Sequence, residues 1–182
     1  MQNEITAQFL REAYGAEAMA YMRYKAWGNA AKSEGYPNVS RLFEAVAFSE
    51  QVHASNHFTR HADIADDFLV ASLANFGKGS TADNLVGAVA GETYEYEQLY
   101  PAFEATAKQH GEGPAEQSFS WARQSEEVHA RLFNTAREAV KDGNDMQLRE
   151  VNVCDNCGFT LEGEAPDKCP VCSVPKARFR AF

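Results

Sequence analysis

Four stretches of this chain carry apolar residues at helical spacing. From about residue 4 to 33, Leu10, Ala13, Glu17, Ala20, Tyr24, Trp27 and Ala31 share one stripe. From about 38 to 61 the stripe is Val39, Phe43, Val46, Glu50, His53 and His57. From about 81 to 109 it is Leu85, Ala88, Glu92, Glu95, Leu99 and Ala102. From about 114 to 141 it is Ala115, Phe119, Ala122, Glu126, His129, Phe133, Ala136 and Val140. These are the core-facing stripes of a helix bundle.

The breaks between the stretches set the topology. Gly35-Tyr36-Pro37 predicts a tight first turn, and Gly111-Glu112-Gly113-Pro114 another, with the proline placed to open the fourth helix. Between them, residues 62–80 show no clear stripe, which suits a crossover running the length of the bundle. Pro101 falls inside the third helix and predicts a kink there. Asp142-Gly143-Asn144-Asp145 ends the fourth helix and starts a linker, dividing the chain into 1–145 and 146–182.

Acidic residues interrupt the apolar stripes themselves: Glu17, Glu50, Glu92, Glu95 and Glu126. No Lys or Arg occupies the stripes to pair with them, and charges such as Arg23, Lys32, Glu104 and Arg137 are expected on the outward faces. Several carboxylates in one core are costly unless protonated, paired or bound to metal. The phrase Ser49-Glu50-Gln51-Val52-His53-Ala54 recurs as Ser125-Glu126-Glu127-Val128-His129-Ala130. Each copy places a Glu and a His three residues apart, on one face of a helix. Glu17 precedes Glu50 by 33 residues and Glu92 precedes Glu126 by 34, and each has a tyrosine four positions on, Tyr21 and Tyr96. A duplicated helix pair would therefore bring two Glu-x-x-His motifs and two further glutamates together, the general ligand pattern of two-metal carboxylate bundles.

Composition narrows the class. The 182 residues, 45% hydrophobic and 24% charged, are those of a soluble globular chain. A formal net charge of −9 argues against nucleic acid and anionic membranes as partners. No run approaches the roughly 18 apolar residues of a membrane helix. The start, Met1-Gln2-Asn3-Glu4, lacks the basic and apolar regions of a secretory signal, so a cytoplasmic location is expected.

All four cysteines lie in the tail: Cys154, Cys157, Cys169 and Cys172, spaced C-x2-C-x11-C-x2-C. In a reducing compartment such pairs are metal ligands rather than disulfides. Four thiolates suit tetrahedral zinc or iron, and spacing alone does not separate the two. So short a segment buries little apolar surface, and the metal is expected to hold it together.

The two parts together resemble rubrerythrin over essentially the whole chain. The run Gly91-Glu92-Thr93-Tyr94-Glu95-Tyr96-Glu97, followed by Tyr100-Pro101, is especially similar to that family. The resemblance implies a mainly α fold: a ferritin-like four-helix bundle with a small C-terminal rubredoxin-like four-cysteine metal domain. It implies Glu17, Glu50, His53, Glu92, Glu95, Glu126 and His129 as ligands of an oxo- or hydroxo-bridged di-iron centre. Glu95 matches the family's extra carboxylate, between which and a histidine, here His53, one iron moves as its oxidation state changes. Tyr24 and Tyr100 match tyrosines that hydrogen-bond the ligand carboxylates. The implied activity is reduction of hydrogen peroxide to water in oxidative-stress defence. Electrons would come through one iron (or zinc in a structural variant) in the four-cysteine site. The implied partners are an electron-donor protein, a rubredoxin or an NAD(P)H-dependent reductase, and a second copy of the chain. In that homodimer one subunit's tail would approach the other's bundle. Ser173 departs from the family, standing where a glycine often follows the second cysteine pair, and the x11 loop is short.

Other readings attach to the same residues. The four cysteines alone also suit a structural zinc ribbon. The bundle also suits a ferroxidase or iron-handling protein using oxygen, or an inert binding module. His57 and His61 follow His53 at four-residue steps, and are expected toward the bundle end, hydrogen-bonded or solvated, rather than as ligands. Glu44, Glu97 and Glu127 are expected to be outward charges.

Overall fold

In the computed structural model, which describes residues 3–60 and 67–182, long helices form where the apolar stripes repeat. Helix α1 spans Glu4–Ser33 and α2 spans Pro37–Thr59. A third helix begins as α3 (Thr81–Tyr94), passes through a π-helical turn (Glu95–Leu99) and continues as α4 (Tyr100–Gln109). Helix α5 spans Gly113–Lys141. Pro37 and Pro114 each sit in the first turn of a helix, where a missing N–H costs nothing. Ser80 and Asp83 cap α3 reciprocally, side chain to backbone in both directions.

The break in the third helix lies earlier than Pro101 suggested. The Tyr100 N–H bonds back five residues to the Glu95 carbonyl, so the irregular turn starts at Glu95, and Pro101 opens the regular helix after it.

Helix α1 packs along α2, and α3–α4 packs along α5, with α2 against α5 closing the bundle. The crossover lies along α1. Arg11 stacks over Phe68 near one end, 4.1 Å from the ring centroid, and the Trp27 indole donates to the Gly77 carbonyl at 2.9 Å near the other. At Gly15 the crossover comes so close that an added Cβ would lie 2.6 Å from the Val70 side chain. Two apolar clusters fill the bundle. One surrounds Tyr24, Trp27, Phe43, Leu85 and Phe133, and the other Leu10, Leu99, Tyr100, Phe103 and Phe119. Glu17, Glu50, His53, Glu92, Glu126 and His129 are buried with them.

The tail forms a three-stranded antiparallel sheet, β1 (Val151–Cys154), β2 (Thr160–Glu162) and β3 (Phe179–Ala181), ordered β2-β1-β3. Its start is tied down. Met146 is buried in the bundle's apolar cluster. The Arg41 guanidinium donates to the carbonyls of Leu148, Arg149 and Phe182 at 2.6, 2.9 and 2.9 Å. Asp145, read from sequence only as linker, accepts from the N–H groups of Asn38 and Val39 at 2.8 and 3.2 Å. It thus caps an α2 N-terminus that has no cap of its own. Asp145→Ala is expected to cost about 1 kcal/mol in an equilibrium denaturation titration, with the helical content unchanged by circular dichroism.

Candidate metal centre

The four long helices each present acids to one point. Helix α1 supplies Glu17, α2 supplies Glu50 and His53, α3 supplies Glu92, and α5 supplies Glu126 and His129. All six are essentially inaccessible to solvent. They form two adjoining groups, each with its ligand atoms within 4.8 Å of one another. The first is Glu17, Glu50, His53 and Glu126; the second is Glu50, Glu92, Glu126 and His129. Glu50 and Glu126 belong to both, the position of bridging carboxylates between two ions.

The donor atoms crowd together across the helices. His53 Nδ1 lies 2.9 Å from Glu50 Oε2 and 3.0 Å from Glu126 Oε1. His129 Nδ1 lies 2.7 Å from Glu126 Oε2 and 3.3 Å from Glu50 Oε1 and Glu92 Oε2. Yet Glu17 Oε2, Glu50 Oε1 and both oxygens of Glu126 are buried without a hydrogen-bond partner. Buried carboxylate oxygens without donors are expensive, and a pair of divalent cations would satisfy them. The residues fit a two-metal site of oxygen and nitrogen donors.

Two tyrosines lock the outer carboxylates. The Tyr24 hydroxyl donates to Glu92 Oε1, and the Tyr100 hydroxyl donates to Glu17 Oε1. Glu95, in the π-helical turn, is buried beside this cluster, although none of its atoms belongs to either group. Arg23 is half-buried rather than outward, over the Tyr24 and Trp27 rings, and its positive charge favours the ionised form of Glu95. Glu44 is not simply solvated either, because it pairs with Lys25. Glu97 and Glu127 are exposed. His57 is fully buried and hydrogen-bonded to Ser118 and Tyr100, while His61 lies outside the described residues.

Protonation records the crowding. Burial, then the charges of Glu50, Glu126 and Glu95, push Glu17 well above the carboxylate range. Burial and the Glu50 charge raise Glu92 to about 8. Burial also raises Glu95, with Glu92 and Glu126 adding to it. For His53 burial works downward, but Glu126 and Glu50 outweigh it and hold the imidazole up at about 9. Metal ligands must be deprotonated. At pH 7 both His53 and Glu92 carry protons that metal displaces, so uptake by protein with a loaded tail is expected to release protons. The release shrinks, and affinity rises, as pH climbs through about 9. Calorimetry of metal binding in buffers of differing ionisation enthalpy measures it, and pH-independent binding would contradict it.

The tail builds the second centre. All four Sγ atoms lie within 4.8 Å of one another, with Cys154–Cys172 at 3.7 Å and Cys157–Cys169 at 3.6 Å. A tetrahedron of about 2.3 Å metal–sulfur bonds has edges of about 3.8 Å. The four thiols therefore fit one ion. The two pairs turn alike: Gly158 N–H bonds Cys154 O, and Ser173 N–H bonds Cys169 O, each at 2.9 Å. Gly158 takes φ +81° and Ser173 φ +64°, so the serine bears the left-handed strain that a glycine avoids.

Sequence reasoning did not foresee how the centres meet. The linker held by Asp145 and Arg41 brings the first cysteine pair onto α2 and α5 of the same chain. The Ser49 hydroxyl donates to the Gly158 carbonyl at 2.6 Å. Asn56 donates to the Asn156 carbonyl at 2.9 Å. His129 Nε2 is 2.9 Å from Thr160 Oγ1, which donates to the same Gly158 carbonyl at 3.0 Å. Ser49 was visible as part of the repeated phrase; its counterpart Ser125 only bonds back to Trp121 O in its own helix.

Comparison with known proteins follows the same division. Residues 8–137 match the family model described as rubrerythrin, and residues 153–180 match that of the rubrerythrin rubredoxin-like domain. The chain is 44% identical to rubrerythrin-2 of Clostridium acetobutylicum over 182 residues, covering 100% of this chain and 99% of the relative. It is 32% identical to nigerythrin of Nitratidesulfovibrio vulgaris over 177 residues, covering 97% and 86%. The structure of nigerythrin in its fully reduced, all-ferrous state superposes with a TM-score of 0.84 at 32% identity, over 97% of this chain and 86% of that one. Rhodobacter capsulatus bacterioferritin, at 18% identity and a TM-score of 0.67, over 78% of this chain and 88% of that one, shares the fold.

Proposed function

The chain belongs to the rubrerythrin family, and from that membership we propose that it reduces hydrogen peroxide to water, with electrons relayed through its tail. The bundle carries a di-iron centre and the tail a rubredoxin-type four-cysteine centre. When bound, the iron pair would supply the two electrons that cleave the O–O bond, and the tail iron, a one-electron centre, would pass them back one at a time from the electron-donor protein.

The observation that carries the reading is the direct join between the two ligand sets: His129 Nε2, Thr160 and the Gly158 carbonyl, one residue beyond Cys157. A storage or purely structural protein has no use for such a junction. Glu17 and Glu92 would each hold one ion, and Glu50 and Glu126, which belong to both groups, would be shared between the two. His53 and His129 present Nδ1 to the ions, while their Nε2 atoms face the tail. Tyr24 and Tyr100 orient the outer carboxylates. Glu95 stands by as an exchangeable carboxylate for the ion held by His53. Burial excludes bulk water from the reacting oxygens. An electron-donor protein supplies the tail, and a second copy of the chain completes a homodimer. Among the described residues no helix is long and apolar enough to cross a membrane.

Stopped-flow oxidation of anaerobically reduced, iron-loaded protein tests the activity. Peroxide is expected to oxidise both centres far faster than oxygen does. Equal or faster oxidation by oxygen would replace the peroxidase with a ferroxidase, and a tail that never shows ferric-thiolate colour would remove the relay.

A further inference from the structure

Helix α2 carries a fully buried histidine that the reaction described above does not use. His57 shows no solvent-accessible surface, and it lies against Tyr100 and Phe119, with ring centroids 5.7 and 5.4 Å away. Both its nitrogens are engaged. Ser118 Oγ, itself buried, lies 2.8 Å from Nδ1, and the Tyr100 hydroxyl lies 3.2 Å from Nε2. The Tyr100 hydroxyl in turn donates to Glu17 Oε1.

The direction of these bonds follows from what each group can do. A metal-bound carboxylate only accepts, so Tyr100 must spend its single proton on Glu17. The phenol oxygen is then left with lone pairs, and the proton facing it must come from His57 Nε2. A neutral imidazole has one donor and one acceptor, so Nδ1 must accept, and the proton facing it belongs to Ser118. All donors point the same way: Ser118 to His57, His57 to Tyr100, Tyr100 to Glu17. A leucine would fill this apolar site without burying two polar nitrogens, so the histidine needs a reason beyond packing.

We infer that His57 is a positioning residue for the metal centre: with Ser118 behind it, it fixes the Tyr100 hydroxyl on Glu17 and so weakens that carboxylate as an electron donor to its ion. The chain of donors polarises along its length, and each bond strengthens the next. A carboxylate that receives a stronger hydrogen bond gives less charge to its metal, which disfavours the ferric state. The inference rests on Glu17 being a ligand.

Two readouts test it. In zinc-loaded, 15N-histidine-labelled protein, which is diamagnetic, His57 is expected as the Nε2–H tautomer; the Nδ1–H tautomer would overturn the inference. The second readout is the equilibrium of the di-iron centre with a mediator dye. H57L is expected to shift it toward the oxidised centre by roughly tenfold, the scale of one charge-assisted hydrogen bond. H57Q, whose amide both donates and accepts, is expected to restore it. In a Y100F background H57L should shift it no further. If H57L lowers the melting temperature but leaves the equilibrium unmoved, His57 is only a core residue. If H57L does not fold, S118A decides, since removing one hydroxyl spares the packing: an unchanged tautomer population and an unchanged equilibrium would overturn the inference. Metal content of E17A separates this failure from that of the ligand reading. Three bound ions per chain, two in the bundle beside the one in the tail, would remove Glu17 from the ligand set whatever the tautomer of His57.

Discussion

Replacing Glu126 by alanine is expected to empty both bundle sites at once. Its two oxygens face His53 Nδ1 at 3.0 Å and His129 Nδ1 at 2.7 Å, and it belongs to both ligand groups. Glu17→Ala, which touches only the first group, should leave one ion in the bundle beside the one in the tail. Loss of a bridging ligand should cost more than the roughly 10–100-fold in affinity or activity that follows loss of an outer hydrogen-bond partner. Metal per chain after gel filtration, less the one ion of the tail, measures the contrast, and two bundle ions retained by E126A would refute the bridging assignment. The metal-free protein should also suffer. Burial raises the Glu126 pKa, but His53 and His129 outweigh it and hold the group ionised. Removing it takes one of the charges that raise the pKa values of two buried imidazoles, leaving Glu50 beside both and Glu92 beside His129, at a cost of up to about 3–5 kcal/mol. This contribution exists only while the carboxylate is ionised, so it fades as pH falls through the depressed folded pKa.

Gly158→Ala should leave both centres loaded and part them from each other. A Cβ there would stand 2.1 Å from His53 Nε2, a separation no relaxation of a buried imidazole can absorb without moving the tail. The left-handed conformation at φ +81° adds roughly 1–2 kcal/mol of strain. That is small beside the roughly 10–16 kcal/mol of a four-ligand metal knuckle, so the cysteines should still bind. Electron transfer slows as its two centres part. After peroxide, the bundle irons should oxidise at the normal rate and the tail iron several-fold more slowly. Equal tail rates in the two proteins would show that electrons do not cross at Gly158.

The bundle was legible because buried carboxylates break an apolar stripe, and Glu17, Glu50, Glu92 and Glu126 do so at matching places in two repeats. The tail was legible because four cysteines at that spacing admit few geometries. The π-helical turn was not read, though the chain carries its trace. Glu17 and Glu92 are 75 apart, whereas Tyr24 and Tyr100 are 76 apart, as are Glu50 and Glu126. One extra residue therefore enters the second repeat between Glu92 and Tyr100, where the π-helical turn spans Glu95–Leu99. Tyr96 still stands 75 residues after Tyr21, so the extra residue falls between Tyr96 and Tyr100 and returns Tyr100 to the place that Tyr24 holds in the first repeat. Thr160 and Gly158 escaped notice for a different reason. Their roles depend on where the tail docks, and neither a lone threonine nor a knuckle glycine carries that information in its neighbours.

The reciprocal bonding across the bundle has a consequence for how iron leaves. Each ion draws on both helix hairpins: Glu126 of the second completes the first group, and Glu50 of the first completes the second. The tyrosines cross in the same manner, Tyr24 to Glu92 and Tyr100 to Glu17. A thermal opening that swings either hairpin aside dismantles both coordination spheres together. The two sites would therefore be expected to loosen together when either hairpin of the intact protein opens.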